Sequence, residues 1–165
     1  MNSLTLPIDS LMYGVGQLFL IPVLIAISLL FLYAFVALGT FVRQAVQRKS
    51  GVGSAFELLT MRQCEPTLSL AELEAEAMNR LEFIRIATRV TPMLGLVATM
   101  IPMGPALRAL GEGQLADVSS SLMLAFSAVI LALLAAAITY AIAHVRRRWY
   151  ADELLRLELA ERSAP

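Results

Sequence analysis

The sequence predicts an all-α, three-span transmembrane protein whose helices extend into the cytoplasm. Of its 165 residues, 58% are hydrophobic and 16% charged, with a mean hydropathy of +0.72. A soluble domain carries about 45–50% apolar and about 25% charged residues. Long uncharged runs recur, near the ~20 residues needed to cross a hydrocarbon core of about 30 Å. The charges sum to zero but are sorted to the ends of these runs.

Residues 1–18 contain no Lys or Arg and read as an extracytoplasmic N-terminal segment. The first transmembrane helix follows over 19–42, uncharged throughout. A cleaved signal peptide would show a basic start and an apolar run of about 7–15 residues, so this longer run reads as an anchor. Residues 43–88 form a cytoplasmic segment, in which Ser50-Gly51-Val52-Gly53-Ser54 is a flexible break and Pro66 a second interruption. Ser69-Leu70-Ala71-Glu72 then reads as a capping box, with the Ser hydroxyl and Glu carboxylate each meeting a backbone donor at a helix start. Leu70, Leu73, Ala77, Leu81 and Ile84 continue at helical spacing, which predicts an amphipathic helix.

The region 89–145 holds the second and third spans. Thr91 to Leu107 is barely long enough to cross and contains Pro92, Pro102 and Pro105. Pro92 and Pro102 are expected to kink it, because proline removes a backbone donor. Val118 to Ala143 is uncharged and rich in Ala and Leu, and Gly111-Glu112-Gly113 reads as the turn between the two. Residues 146–165 form a basic tail helix, with Leu154, Leu155, Leu157 and Leu159 on its apolar face.

Lys and Arg are retained on the cytoplasmic side of spans. Twelve of the thirteen basic residues fall on one side of the three runs, Arg108 being the exception. The N-terminus is therefore expected outside and the C-terminus inside.

Several function classes find no support. There is no phosphate-cradling loop, for Gly111-Glu112-Gly113 lacks the strand and helix that such a loop needs. No feature points to nucleic acid. Cys64 is the sole cysteine, so no internal disulfide or metal set can be built around it. His144, at the end of the third span, reads as an interfacial residue, with a proton-accepting site as the alternative. With no Ser-Lys pair, ligand cluster or membrane carboxylate dyad, we expect no enzyme, metal or cofactor.

The informative residues lie within the spans. Thr88, Thr91, Gly95 and Thr99 share one helix face, which Pro102 continues. In the third span Ser121, Ala125, Ala128, Ala132, Ala135 or Ala136, Thr139 and Ala143 form a second small-residue stripe, with Ser120 and Ser127 on a neighbouring face. Small residues let helix backbones approach closely, and hydroxyls hydrogen-bond across the contact. Hydroxyls also hold water without the cost of a buried charge. Packing and a hydrated lining both fit these residue types.

Thr91-Pro92-Met93-Leu94-Gly95-Leu96-Val97-Ala98-Thr99-Met100 resembles the second-span signature of the MotA/TolQ/ExbB proton channel family. The likeness covers Ile84 to Tyr150 by motif, so that 89–145 reads as the channel region, and the remainder by topology. It implies a ring of such chains, a pentamer, in a prokaryotic cytoplasmic (inner) membrane. The ring would surround a small single-span partner similar to ExbD or TolR, and proton flow would drive mechanical work across the envelope. Thr99 takes the position of the family's second-span pore threonine. Aligning Ser120-Ser121-Leu122 with the family's Glu-Ala-Leu puts Ser120 where TolQ and ExbB carry a glutamate and Ala125 at their third-span threonine. With both groups missing, Ser127 or Asp117 at the outer mouth are the substitutes to consider.

We therefore expect Thr99, Ser127, Ser120, Thr91 and Gly95 to line an ion pathway, and Ser121, Ala125, Ala128, Ala132 and Thr139 to serve helix packing. Hydroxyls do not change charge at accessible pH, and the three spans contain no Asp, Glu or Lys. The proton carrier is therefore expected from another chain, as a membrane-embedded Asp on the single-span partner. The alternative is a structural scaffold or assembly subunit without ion conduction.

Overall fold

A computed structural model describes residues 5–50, 56–65 and 68–163, with side-chain environments over 14–50, 56–65 and 68–162. All regular structure among these is helical: α1 (Thr5–Lys49), α2 (Glu57–Cys64), α3 (Leu70–Gly111) and α4 (Leu115–Ser163). The three long helices each contain an apolar stretch long enough to cross a membrane, as the all-α three-span reading expected. The glycine-serine break at 50–54, beyond Ser50, and Pro66 lie outside the described residues.

The helices exceed the predicted spans. α1 begins at Thr5 rather than near Phe19. α3 runs unbroken through Pro92, Pro102 and Pro105; each proline removes one donor, but the flanking turns keep their own hydrogen bonds. The start of α3 is the predicted capping box. Ser69 N donates to Glu72 Oε2 at 2.7 Å and Glu72 N donates to Ser69 Oγ at 3.3 Å. Its end is a Schellman turn: Gln114 N donates to Ala109 O at 2.9 Å and Gly113 N to Leu110 O at 3.1 Å. This closure places Gly113 at φ +76°, the left-handed region where a Cβ costs about 1–2 kcal/mol.

The chain divides into two compact units. One comprises 1–33 and 89–136. Its core joins Val23 and Ile27 of α1, Ala98 of α3, and Ala128 and Ala132 of α4, with Leu24, Leu94 and Leu131 against them. α3 and α4 approach tightly at Gly95, where an added Cβ would stand 2.8 Å from Ala132 Cβ. Between lipid-immersed helices there is little hydrophobic driving force, so contact depends on how closely the backbones approach.

The other unit comprises 34–88 and 137–165. Leu58 of α2, Ala77 and Leu81 of α3 and Tyr150 of α4 form its apolar core, with Leu154 packed against them. Leu73, Ala77, Leu81 and Ile84 are buried, as their spacing predicted. The tail differs from expectation. Leu155 and Leu159 are exposed at 55% and 57%, while Glu153 is buried. The inward face of α4 continues the Ile142, Tyr150, Glu153 progression, which rotates those two leucines outward.

Gly95→Ala should destabilise the protein by about 1–3 kcal/mol, the usual cost of overpacking a tight contact. Ala132→Gly in the same chain should recover part of that loss, read as the thermal midpoint in detergent.

Candidate functional site

In the span-containing unit, the predicted pathway residues occupy different environments. Thr91 is 1% exposed, and Gly95 is buried against Ala132 and Val129. Both lie within the packed α3 face, along with Ala98, Pro102 and Ala106. Thr99 is half-buried, its hydroxyl donating to Leu96 O at 2.7 Å. Ser120 and Ser127 are exposed, donating to Asp117 O at 3.0 Å and Met123 O at 2.8 Å. Each hydroxyl thus satisfies its own proton locally and keeps acceptor capacity for a partner.

The residues assigned to packing are placed as follows. Ala125, Ala128 and Ala132 are buried and Ser121 is half-buried. Thr139, in the second unit, is 1% exposed, and its hydroxyl lies 3.1 Å from Thr88 Oγ1. Close to the α3–α4 turn an open pocket is lined by Pro105, Arg108, Ala109, Glu112, Asp117 and Ser121. Arg108 Nε pairs there with Glu112 Oε1 at 3.3 Å. His144 is exposed and stacks on Tyr140.

The second unit contains a polar clasp that sequence reasoning missed. Residue Phe56 gives no side-chain cap to α2. Instead Glu153, from α4, accepts a hydrogen bond from Leu58 N at 2.8 Å, supplying an acceptor to an orphan donor of the α2 N-terminus. Its other oxygen pairs with the Arg48 guanidinium of α1. Arg48 in turn lies over Phe56 and Trp149, 4.9 and 4.5 Å from the ring centroids, and Trp149 stacks on Phe41 at 5.1 Å. An eight-residue helix is unstable alone; here α1 and α4 hold it.

Glu57 is the second centre of the clasp. Its carboxylate accepts from Tyr150 OH at 2.7 Å, Arg80 Nη1 at 3.2 Å and Gln44 Nε2 at 2.9 Å. Burial alone would raise this carboxyl, but the Tyr150 hydrogen bond, the charges of Arg146 and Arg80 and the Arg80 hydrogen bond outweigh it and hold it below the ordinary carboxylate value. Glu153 falls in step with Tyr150 on the inward face of α4, but its partners lie 105 and 95 positions away, on α1 and α2. Glu57 gave no such signal, for its partners come from three other helices.

Three long helices with apolar membrane-length stretches and an uncharged, hydroxyl-bearing interior define a polytopic membrane protein. Residues 36–159 match the MotA/TolQ/ExbB proton channel family; the chain belongs to that family, which supports a general role in ion-driven transport. No curated protein and no solved structure is a significant match.

Two outcomes test the clasp. Glu153→Ala removes the carboxylate that Arg48 and Leu58 N share and should cost about 3–5 kcal/mol, the range for breaking a buried pair, with protease cleavage between α1 and α3 increasing. Glu57 has a lowered folded-state pKa, so its contribution is present above the unfolded value of about 4.3 and is lost as pH falls through the folded value. Thermal midpoints taken from neutral to acid pH should show that decline, and Glu57→Gln should flatten it.

Proposed function

We propose that this chain is the ion-channel subunit of a membrane motor, working with a single-span ExbD/TolR-like partner to convert ion motive force into mechanical work across the envelope. The observation that carries the reading is the distribution of polar groups. The segments 14–42, 90–107 and 118–143 contain no Asp, Glu, Lys or Arg, while Ser120 and Ser127 stand exposed on α4 and Thr99 is half-exposed on α3. Hydroxyls on an outer helix face gain nothing from lipid, but they can hydrogen-bond a second chain or a file of water.

In this reading the partner's span supplies a membrane-embedded Asp as the group that changes charge. Thr99, Ser120 and Ser127 give it and its water acceptors and donors. Thr91 and Gly95 contribute by setting the position of α3 against α4, with Pro92 and Pro102 shaping the helix between them. Several copies, a pentamer, enclose the partner in a prokaryotic cytoplasmic membrane, N-terminus outside and C-terminus in the cytoplasm. Asp117, beside the pocket at the α3–α4 turn, stands where ions would enter.

The scaffold reading is favoured by one observation: the small-residue stripe of α4 is largely consumed by contacts within the chain. That leaves the exposed hydroxyls of Ser120 and Ser127 without a role, so we prefer the channel.

Thr99→Ala and Thr99→Val should leave assembly intact and lower ion-coupled activity about tenfold, the effect of losing one hydrogen bond of ~1.4 kcal/mol. Assembly is read by the mass of the purified complex and activity by ion flux in vesicles. Loss of assembly in both variants would favour the scaffold.

A further inference from the structure

Arg146, half-buried and acting on Glu57, stands apart; the other arginines of the second unit fall into two groups. Those far along the helices from the apolar runs are engaged by the protein: Arg48 with Glu153, Arg62 with Glu161, Arg80 with Glu76 and Glu57, Arg162 with Glu158, and Arg156 over the Phe56 ring. Arg43, Arg85, Arg147 and Arg148 are all exposed and form no ion pair among the described residues. Arg43 and Arg147 have no Asp or Glu within four residues; Glu82 and Asp152 stand three and four residues from Arg85 and Arg148, but neither forms an ion pair with them among the described residues.

Depth separates the two groups. At about 1.5 Å per residue, Arg147 and Arg148 lie about 6–8 Å beyond Ala143, where the third apolar run ends, and Arg43 directly follows Val42. The headgroup layer on each face of a bilayer is about 5–8 Å thick. The unpaired guanidiniums therefore occupy that layer, and the paired ones of α4 lie beyond it. Counted along α4, Trp149 stands about 9 Å beyond Ala143, but it stacks at 5.1 Å on Phe41, one residue inside the end of the first apolar run; the stack therefore marks the hydrocarbon edge, with Arg43 just beyond it on α1 and the Arg147-Arg148 pair within about 3 Å of it along α4.

We propose that Arg43, Arg147 and Arg148, flanking the Phe41–Trp149 stack, form a binding surface for the phosphates of anionic membrane lipids. A guanidinium matches phosphate geometry with paired donors, and each basic residue near a membrane surface contributes about 1 kcal/mol of attraction to an anionic leaflet. Arg85, on the exposed face of α3, extends the same chemistry. The surface depends on the chain's being a membrane protein and not on whether it conducts ions.

Trp149 is the sole tryptophan and reports on this surface directly. The full-length protein is reconstituted in phosphatidylcholine vesicles containing either acyl-brominated phosphatidylglycerol or acyl-brominated phosphatidylcholine, and quenching of Trp149 is compared. Phosphatidylglycerol should reach half-quenching at a mole fraction at least about fivefold lower, the factor that ~1 kcal/mol from a single guanidinium gives, and high salt should remove the difference. Arg43→Gln, Arg147→Gln and Arg148→Gln combined should bring the ratio toward one, while the corresponding Lys variant retains it. Equal quenching of the unaltered protein by both lipids at low salt would overturn the proposal. So would loss of the preference in millimolar inorganic phosphate at constant ionic strength, which would identify a site for free anions instead.

Discussion

The contact between Gly95 and Ala132 is the constraint on which the span-containing unit depends. With no Cβ on one side and a single methyl on the other, α3 and α4 come close enough for Thr91, Ala98, Ala125 and Ala128 to be buried around them. In lipid, where apolar surface has no reason to leave its surroundings, such proximity supplies the dispersion and weak polar contacts that hold helices together. The small residues are thus spent on internal contact, and the larger ones, Met93, Leu96, Met123 and Phe126 among them, are exposed.

The other unit is held by different means. There Glu153 and Glu57 connect α1, α2, α3 and α4 through charged and hydrogen-bonded contacts. Removing two charges from water is costly, and their attraction compensates only when the remaining lone pairs are also satisfied. Glu153 meets that condition with one oxygen on Arg48 and the other on Leu58 N, and Glu57 meets it with three donors. Such contacts are directional, so they specify where α2 sits more sharply than the single buried Leu58 side chain could.

What could be read in the sequence was whatever depended on near neighbours. The capping box at Ser69 and Glu72 spans three residues, and the turn at Gly113 is announced by its glycines. The inward positions of the first part of α3 follow from a 3.6-residue period. The three apolar runs were legible for the same reason, though not their helix ends, because hydropathy marks where a helix is apolar and not where its backbone hydrogen bonding stops. The clasp was hidden by distance: Glu57 meets Tyr150, and Arg48 meets Glu153, across 93 and 105 positions of chain. For the residues expected to line a pathway, spacing could place Thr91, Gly95 and Thr99 on one face; it could not separate the buried pair from the half-exposed threonine, because that depends on which helix lies opposite.

Family membership and the placement of hydroxyls converge on one physical requirement. A chain whose spans hold no Asp, Glu, Lys, Arg or His offers no side chain there that changes charge near neutral pH, and the proposed partner is what would supply one. The most direct test is the intact mass of the complex extracted from its native membrane in mild detergent, with every co-purifying chain identified. Our account predicts a ring of this protein around a small single-span protein that has an Asp within its span. A homogeneous assembly of this chain alone, still driving full ion flux in sealed vesicles, would contradict it.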